Sequence, residues 1–119
     1  MTSTKLSSDY LEKDGWMCGV VERWIPQAKR RIDLFGFLDM VCIKKGQPML
    51  GIQATASGNA TARIRKITDS ESAKLWLSCG YLIEVHDWVK RKKSNKRILK
   101  RYGMARTQRG IISYELAVE

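Results

Sequence analysis

Residues 32–55 read IDLFGFLDMVCIKKGQPMLGIQAT, and this stretch decides the fold. Two apolar runs flank Lys45-Gly46-Gln47-Pro48, a sequence suited to a turn. The runs are therefore expected to pair as an antiparallel hairpin. Asp39 and Gln53 stand equally far from Gly46 and would face each other across it. Directly opposed residues have Cβ atoms about 4.5–5.5 Å apart. A carboxylate and an amide oxygen so placed can share one hard cation. The backbone carbonyl of Ala54 is a further oxygen on the same strand.

Working outward, residues 34–44 and 48–55 are almost wholly apolar apart from Asp39 and Gln53. Such runs indicate strands covered on both faces. Upstream, residues 6–13 suggest a helix capped by Ser7 or Ser8 and stopped at Gly15. Residues 16–24 (WMCGVVERW) suggest a first strand ended by Pro26, with a basic loop at Lys29, Arg30 and Arg31. Downstream, a helix is expected from Ala60, following a turn at Ser57-Gly58-Asn59. It breaks near residue 68, where Thr68 and Glu71 fit a capping box, and resumes to Gly80. Residues 81–89 suggest a fourth strand. Gly103 and Gly110 bracket another strand-like piece, and residues 111–118 suggest a closing edge strand. The order α-β-β-β-α-β-β predicts one domain over residues 1–119, an α/β (α+β) core with a mixed sheet flanked by helices.

Composition narrows the function. The chain has 119 residues, 44% apolar, with 22 Lys and Arg against 12 Asp and Glu, a net charge of +10. That length suits one core, and that charge favours a polyanionic partner. Eight cations fall in residues 90–101, a basic hairpin or loop turning at Ser94-Asn95: Lys90, Arg91, Lys92, Lys93, Lys96, Arg97, Lys100 and Arg101. They are expected to track a phosphate backbone with little sequence readout. Trp88 and Tyr102 flank the run, and core packing is the expectation for Trp88. Three separated cysteines without a CxxC pattern support neither a disulfide framework nor a zinc ribbon. No apolar run is long enough for a membrane span, and no signal-peptide core opens the chain. A cytoplasmic location is expected, that of the host cell if the protein is phage-encoded.

Catalytic options are few. A single histidine, His86, excludes two-histidine mechanisms and histidine-rich zinc sites, and its expected role is structural. Walker, GxGxxG and GxSxG motifs are absent. Acidic residues beside a basic surface remain, a composition suited to metal-assisted phosphodiester hydrolysis with Mg²⁺ or Mn²⁺. Asp39 and Gln53 then need another carboxylate. Glu22, isolated in the first strand, is preferred over Asp33, which opens the second. Asn59, Arg63 and Lys66 share one face of the following helix and are expected to approach the phosphate.

Gly36 to Asp39 (GFLD), a hairpin, and then IQAT together resemble the PD-(D/E)xK nuclease superfamily, over residues 15–88. The order of elements is similar to that of archaeal-type Holliday junction resolvases and VRR-type nucleases, and to small phage-encoded members. The resemblance implies a restriction-endonuclease-like core and a magnesium-dependent endonuclease acting on DNA, branched DNA included. It makes Asp39 the second-motif metal ligand and Gln53 a variant of the usual acid. Thr55 stands where the superfamily places lysine, so Lys66 is the candidate to supply the cation. Glu12 and Glu22 compete for the first-motif glutamate. A homodimer is expected where two strands are cut symmetrically. Two other readings stand: a nucleic-acid-binding protein that keeps the nuclease fold without cleavage, and a basic assembly or inhibitor protein.

Overall fold

The computed structural model describes residues 1–118. Helix α1 (Ser3–Lys13) leads into β1 (Met17–Val20). A small ribbon of β2 (Arg23–Ile25) and β3 (Arg30–Ile32) follows, then β4 (Met40–Ile43) and β5 (Leu50–Ala56). Helices α2 (Ala60–Thr68) and α3 (Glu71–Ser78) precede β6 (Leu82–Lys90), β7 (Arg97–Thr107) and β8 (Gly110–Leu116). Six strands form one mixed sheet in the order β1-β4-β5-β6-β7-β8, with β5 and β6 parallel and every other pair antiparallel.

The two faces of the sheet are covered differently. Met40, Cys42, Leu50 and Ile52 point to one side and bury Leu11 of α1. Ile83, Val85 and Met104 point to the other and pack with Ile67 of α2 and Trp76 of α3. Gly51 is required here, because a Cβ at that position would enter the space held by Leu38 and the Trp76 ring. Strand β5 is thus covered on both faces: Leu50 and Ile52 face α1, while Gly51, Gln53 and Thr55 are buried on the opposite side. Among the described residues no helix is long and apolar enough to cross a membrane.

Several expectations need correction. Residues 16–24 are not one strand. The amides of Val21 and Glu22 both donate to the carbonyl of Asp39 (2.9 and 3.3 Å), the hydrogen-bond signature of a β-bulge, and the chain then leaves the sheet. The expected basic loop is half turn, half strand: Arg30 and Arg31 belong to β3. The second strand begins only at Met40, because residues 34–38 close on themselves through a Leu34–Leu38 bridge. Phe35 and Gly36 both carry positive φ there (56° and 83°).

The helix caps also differ. Thr2, not Ser7 or Ser8, caps α1 by accepting from Lys5 N–H (3.1 Å). Ser70 caps α3 by accepting from Ala73 N–H (3.1 Å), while the Thr68 hydroxyl turns back to the Arg65 carbonyl. Asn59 donates to the Ala56 carbonyl instead of capping α2. That cap comes from the sheet: buried Asp87 on β6 accepts from the amides of Gly58 (3.2 Å) and Ala60 (3.3 Å). A carboxylate at the positive end of α2 fixes where that helix starts.

On the α1 face, the single histidine is structural, as its place in a strand suggests. The Trp88 indole N–H donates to Ser7 Oγ (2.9 Å), and Ser7 Oγ meets His86 Nδ1 (2.8 Å). His86 Nε2 meets Glu84 Oε1 (2.9 Å), which also accepts from Arg101 Nε (2.9 Å). Burial holds His86 below its ordinary pKa, against the pull of Glu84, so the ring is neutral. Every member then has its donor or acceptor matched, and α1 is fastened to β6.

Candidate metal centre and nucleic-acid interface

Three successive antiparallel registers assemble the site. Met40 pairs with Ile52, so the next position outward brings Asp39 to Gln53. Gln53 Nε2 donates to Asp39 Oδ2 (2.8 Å), and that oxygen also accepts from Ala54 N–H (2.7 Å). Leu34 and Leu38 exchange both backbone hydrogen bonds (2.9 and 3.0 Å), which places Asp33 opposite Asp39 in the closer, non-hydrogen-bonded type of pair. Arg23 pairs with Ile32 in the ribbon, so its register, continued by one residue, sets Glu22 opposite Asp33.

Glu22, Asp33 and Asp39 consequently offer carboxylate oxygens that all lie within 4.8 Å of one another. The cluster lines an open cavity of about 530 Å³, with Arg31, Arg63 and Lys66 on the same wall. Each carboxylate has a partner. Arg31 donates to Glu22 Oε1 (2.9 Å), Lys66 Nζ lies 3.2 Å from Asp33 Oδ2, and Asp39 is held as above. These bonds use one oxygen of each carboxylate.

A buried carboxylate beside a half-buried one does not ionise easily while its neighbour is charged. Burial, and then the neighbouring Asp33, push Asp39 up to about 7. Burial would raise Asp33 as well, but the bond shared with Asp39 and the Lys66 ammonium outweigh it and hold Asp33 below its ordinary value. Asp39 is therefore the more easily protonated member of the pair.

The donor set suits a hard divalent cation. It consists of carboxylates and a carboxamide, without His or Cys among the clustered residues. Gln53 Oε1 is buried and has no hydrogen-bond partner among the described residues. An orphaned oxygen of this kind costs about 1–3 kcal/mol, and a cation held by the adjacent carboxylates would remove that cost. The Ala54 carbonyl lies on the same strand edge as the Ala54 amide that Asp39 engages.

The fold is similar to that of a Holliday junction resolvase. Archaeoglobus fulgidus Hjc, a Holliday junction resolvase from an archaeal hyperthermophile, superposes with a TM-score of 0.50 at 14% sequence identity. The alignment covers 97% of this chain and 85% of that one. No protein-family model matches the sequence, and no curated protein matches it. The likeness is one of fold: a six-strand mixed sheet flanked by helices.

Other expected site residues fall in different places. Glu12 lies outside the cluster, exposed and bonded to the Ser8 hydroxyl at the far end of α1. Thr55 is buried and does not line the cavity, and neither does Asn59. Asp33, the less favoured carboxylate on sequence grounds, is a full member alongside Glu22. Lys90 to Arg97 surround an exposed turn closed by Arg91 N–H to the Lys96 carbonyl (3.1 Å). Lys100 is exposed on β7. Arg101 is withdrawn from this basic run: it grips Glu84 with two nitrogens (2.9 and 3.0 Å) and the Ala117 carbonyl with a third (2.9 Å). Trp88, as expected, is buried.

Proposed function

We propose that this protein is a divalent-metal-dependent endonuclease that hydrolyses phosphodiester bonds in DNA, with branched DNA as its substrate class. The observation that carries the reading is the convergence of Glu22, Asp33 and Asp39 within 4.8 Å. Lys66 and three arginines, Arg30, Arg31 and Arg63, line the same cavity, and a fold seen in a resolvase supports the reading further.

Glu22, Asp33 and Asp39, with the Gln53 amide oxygen and the Ala54 carbonyl, would hold Mg²⁺ or Mn²⁺. When bound, such an ion lowers the pKa of a coordinated water and stabilises charge on the phosphate. The chain supplies the rest. Arg63 on α2 and Arg30 on β3 draw the phosphodiester against the carboxylates. Lys66 faces the developing negative charge and takes the place of the superfamily lysine that Thr55 does not provide. Gln53 and the Ala54 amide fix the Asp39 carboxylate, so little reorganisation is needed at the moment of reaction. The exposed turn around Lys92, Lys93 and Lys96 tracks the backbone farther out. A homodimer would give the two sites that paired cuts require.

The test is direct. Branched, flapped and linear DNA are incubated with the protein and Mg²⁺ or Mn²⁺, and in parallel with EDTA. Metal-dependent products that Asp39→Asn abolishes are expected. DNA binding without a product on any of these structures would leave the non-catalytic nucleic-acid-binding reading in its place.

A further inference from the structure

The ribbon of β2 and β3 holds an aromatic residue that neither the sheet nor the metal cluster uses. Trp24 is 54% exposed, whereas Trp76 and Trp88 are buried. It pairs directly with Arg31 across the ribbon. The ribbon carries Arg23, Lys29, Arg30 and Arg31 and no acidic residue between residues 23 and 32. Nothing in the fold calls for an indole there, since the strands of the ribbon pair only with each other.

Its register gives Trp24 a direction. Side chains two apart on a strand share a face, and directly opposed residues share a face across a pair. Glu22 and Asp33 therefore form one row of the ribbon, and Trp24 and Arg31 form the next row on the same side. The rows are about 7 Å apart along the strand, within reach of the adjacent nucleotide. Arg31 links them, because its guanidinium reaches back to Glu22 (2.9 Å). The root of the ribbon is fixed to the centre by the two amides bound to the Asp39 carbonyl.

We propose that Trp24 stacks on an unpaired base beside the phosphate held at the carboxylate cluster, making the β2–β3 ribbon the element that selects unpaired over fully duplex DNA. This rests on the nuclease reading above. A stacked base is accessible only where strands separate, as at a flap or a junction. Stacking on an aromatic side chain is worth about 1–3 kcal/mol per base and is tolerant of sequence. Arg31, across the ribbon, meets the neighbouring phosphate.

The experiment measures binding in Ca²⁺, to avoid depending on turnover, by anisotropy of a labelled flapped duplex and a labelled blunt duplex. Wild type, Trp24→Phe and Trp24→Ala are compared over a range of salt concentrations, with thermal melts to confirm folding. Trp24→Ala is expected to weaken flapped DNA about tenfold and the blunt duplex hardly at all, with Trp24→Phe retaining most of the affinity. The slope of affinity against salt should be the same for all three, because every phosphate keeps its cation. Equal affinity of Trp24→Ala and wild type for the flap, or an equal loss on both DNAs, overturns the ribbon's role and leaves the nuclease reading intact. Wild type that binds neither DNA overturns both.

Discussion

Asp33 and Asp39 face each other across the two-hydrogen-bond bridge of Leu34 and Leu38, with Lys66 3.2 Å from the first and the Ala54 amide 2.7 Å from the second. Unequal partners explain their unequal acidity. The ammonium beside Asp33 favours its charged form, and the burial of Asp39 favours its neutral one.

That inequality predicts how the metal-free protein responds to pH. Asp39 has a folded value of about 7 against an ordinary 3.8. A carboxyl raised in the folded state contributes stability that is complete below its ordinary value and lost as pH rises through the raised one. Melting temperature in EDTA should therefore fall between about pH 4 and pH 7. Mn²⁺ should flatten or reverse the fall by compensating both charges. Thermal melts across this range check it, and a melting temperature that climbs with pH in EDTA would contradict the raised value of Asp39.

Asp39→Asn and Asp39→Ala should separate charge from structure. The asparagine keeps an oxygen for the Ala54 amide and removes a buried charge, so the metal-free fold should be as stable as wild type or more so. Alanine leaves the Ala54 amide unpaired and the Gln53 amide with only its long contact to Asp33 (3.5 Å), and should cost about 1–3 kcal/mol. Both should lose metal-dependent cleavage. Urea unfolding beside the cleavage assay resolves the two effects.

Lys66→Gln should lower kcat by about 10²–10³-fold, in the range seen when one stabilising donor is removed from a site. DNA affinity measured in Ca²⁺ should change little, since many other cations hold the strand. Lys66→Arg should recover part of the rate. A large loss of affinity with kcat preserved would make Lys66 a binding residue instead.

Asp87→Ala should destabilise the protein by about 1–2 kcal/mol through the loss of the α2 cap. It should also slow cleavage, though Asp87 touches no member of the cluster. Its effect on rate travels through α2, which carries both Arg63 and Lys66. Denaturation and single-turnover cleavage on the same variant test the link.

Replacing Lys92, Lys93 and Lys96 by glutamine should reduce the slope of log affinity against log salt by about 0.9 for each phosphate left without a cation. Arg101→Gln should leave that slope unchanged and lower the melting temperature, because it strips Glu84 of a paired cation.

Much of this was legible in the chain itself. A turn centred on Gly46 between two apolar runs sets a register, and Asp39 met Gln53 because alternation across a hairpin leaves little choice. The broken helix and the buried histidine were legible for similar local reasons. What escaped depends on backbone conformations with no sequence mark. Phe35 adopts a positive φ that its side chain does not advertise, and that turn brings Asp33 back to Asp39. The Val21–Glu22 bulge ended the first strand early and turned an expected loop into a ribbon. The Asp87 cap and the Arg101–Glu84 pair join residues far apart in the chain, so no local pattern announces them.

The centre is specified by hairpin lengths as much as by side-chain identity. Glu22, Asp33, Asp39 and Gln53 come from one continuous stretch, each handed to the next by a turn of fixed size. Lengthening any of those turns by a single residue would reverse the alternation beyond it and send one of these side chains to the opposite face. Relatives that share this centre should therefore vary freely in the composition of these turns and very little in their length, so spacing should locate them better than identity does.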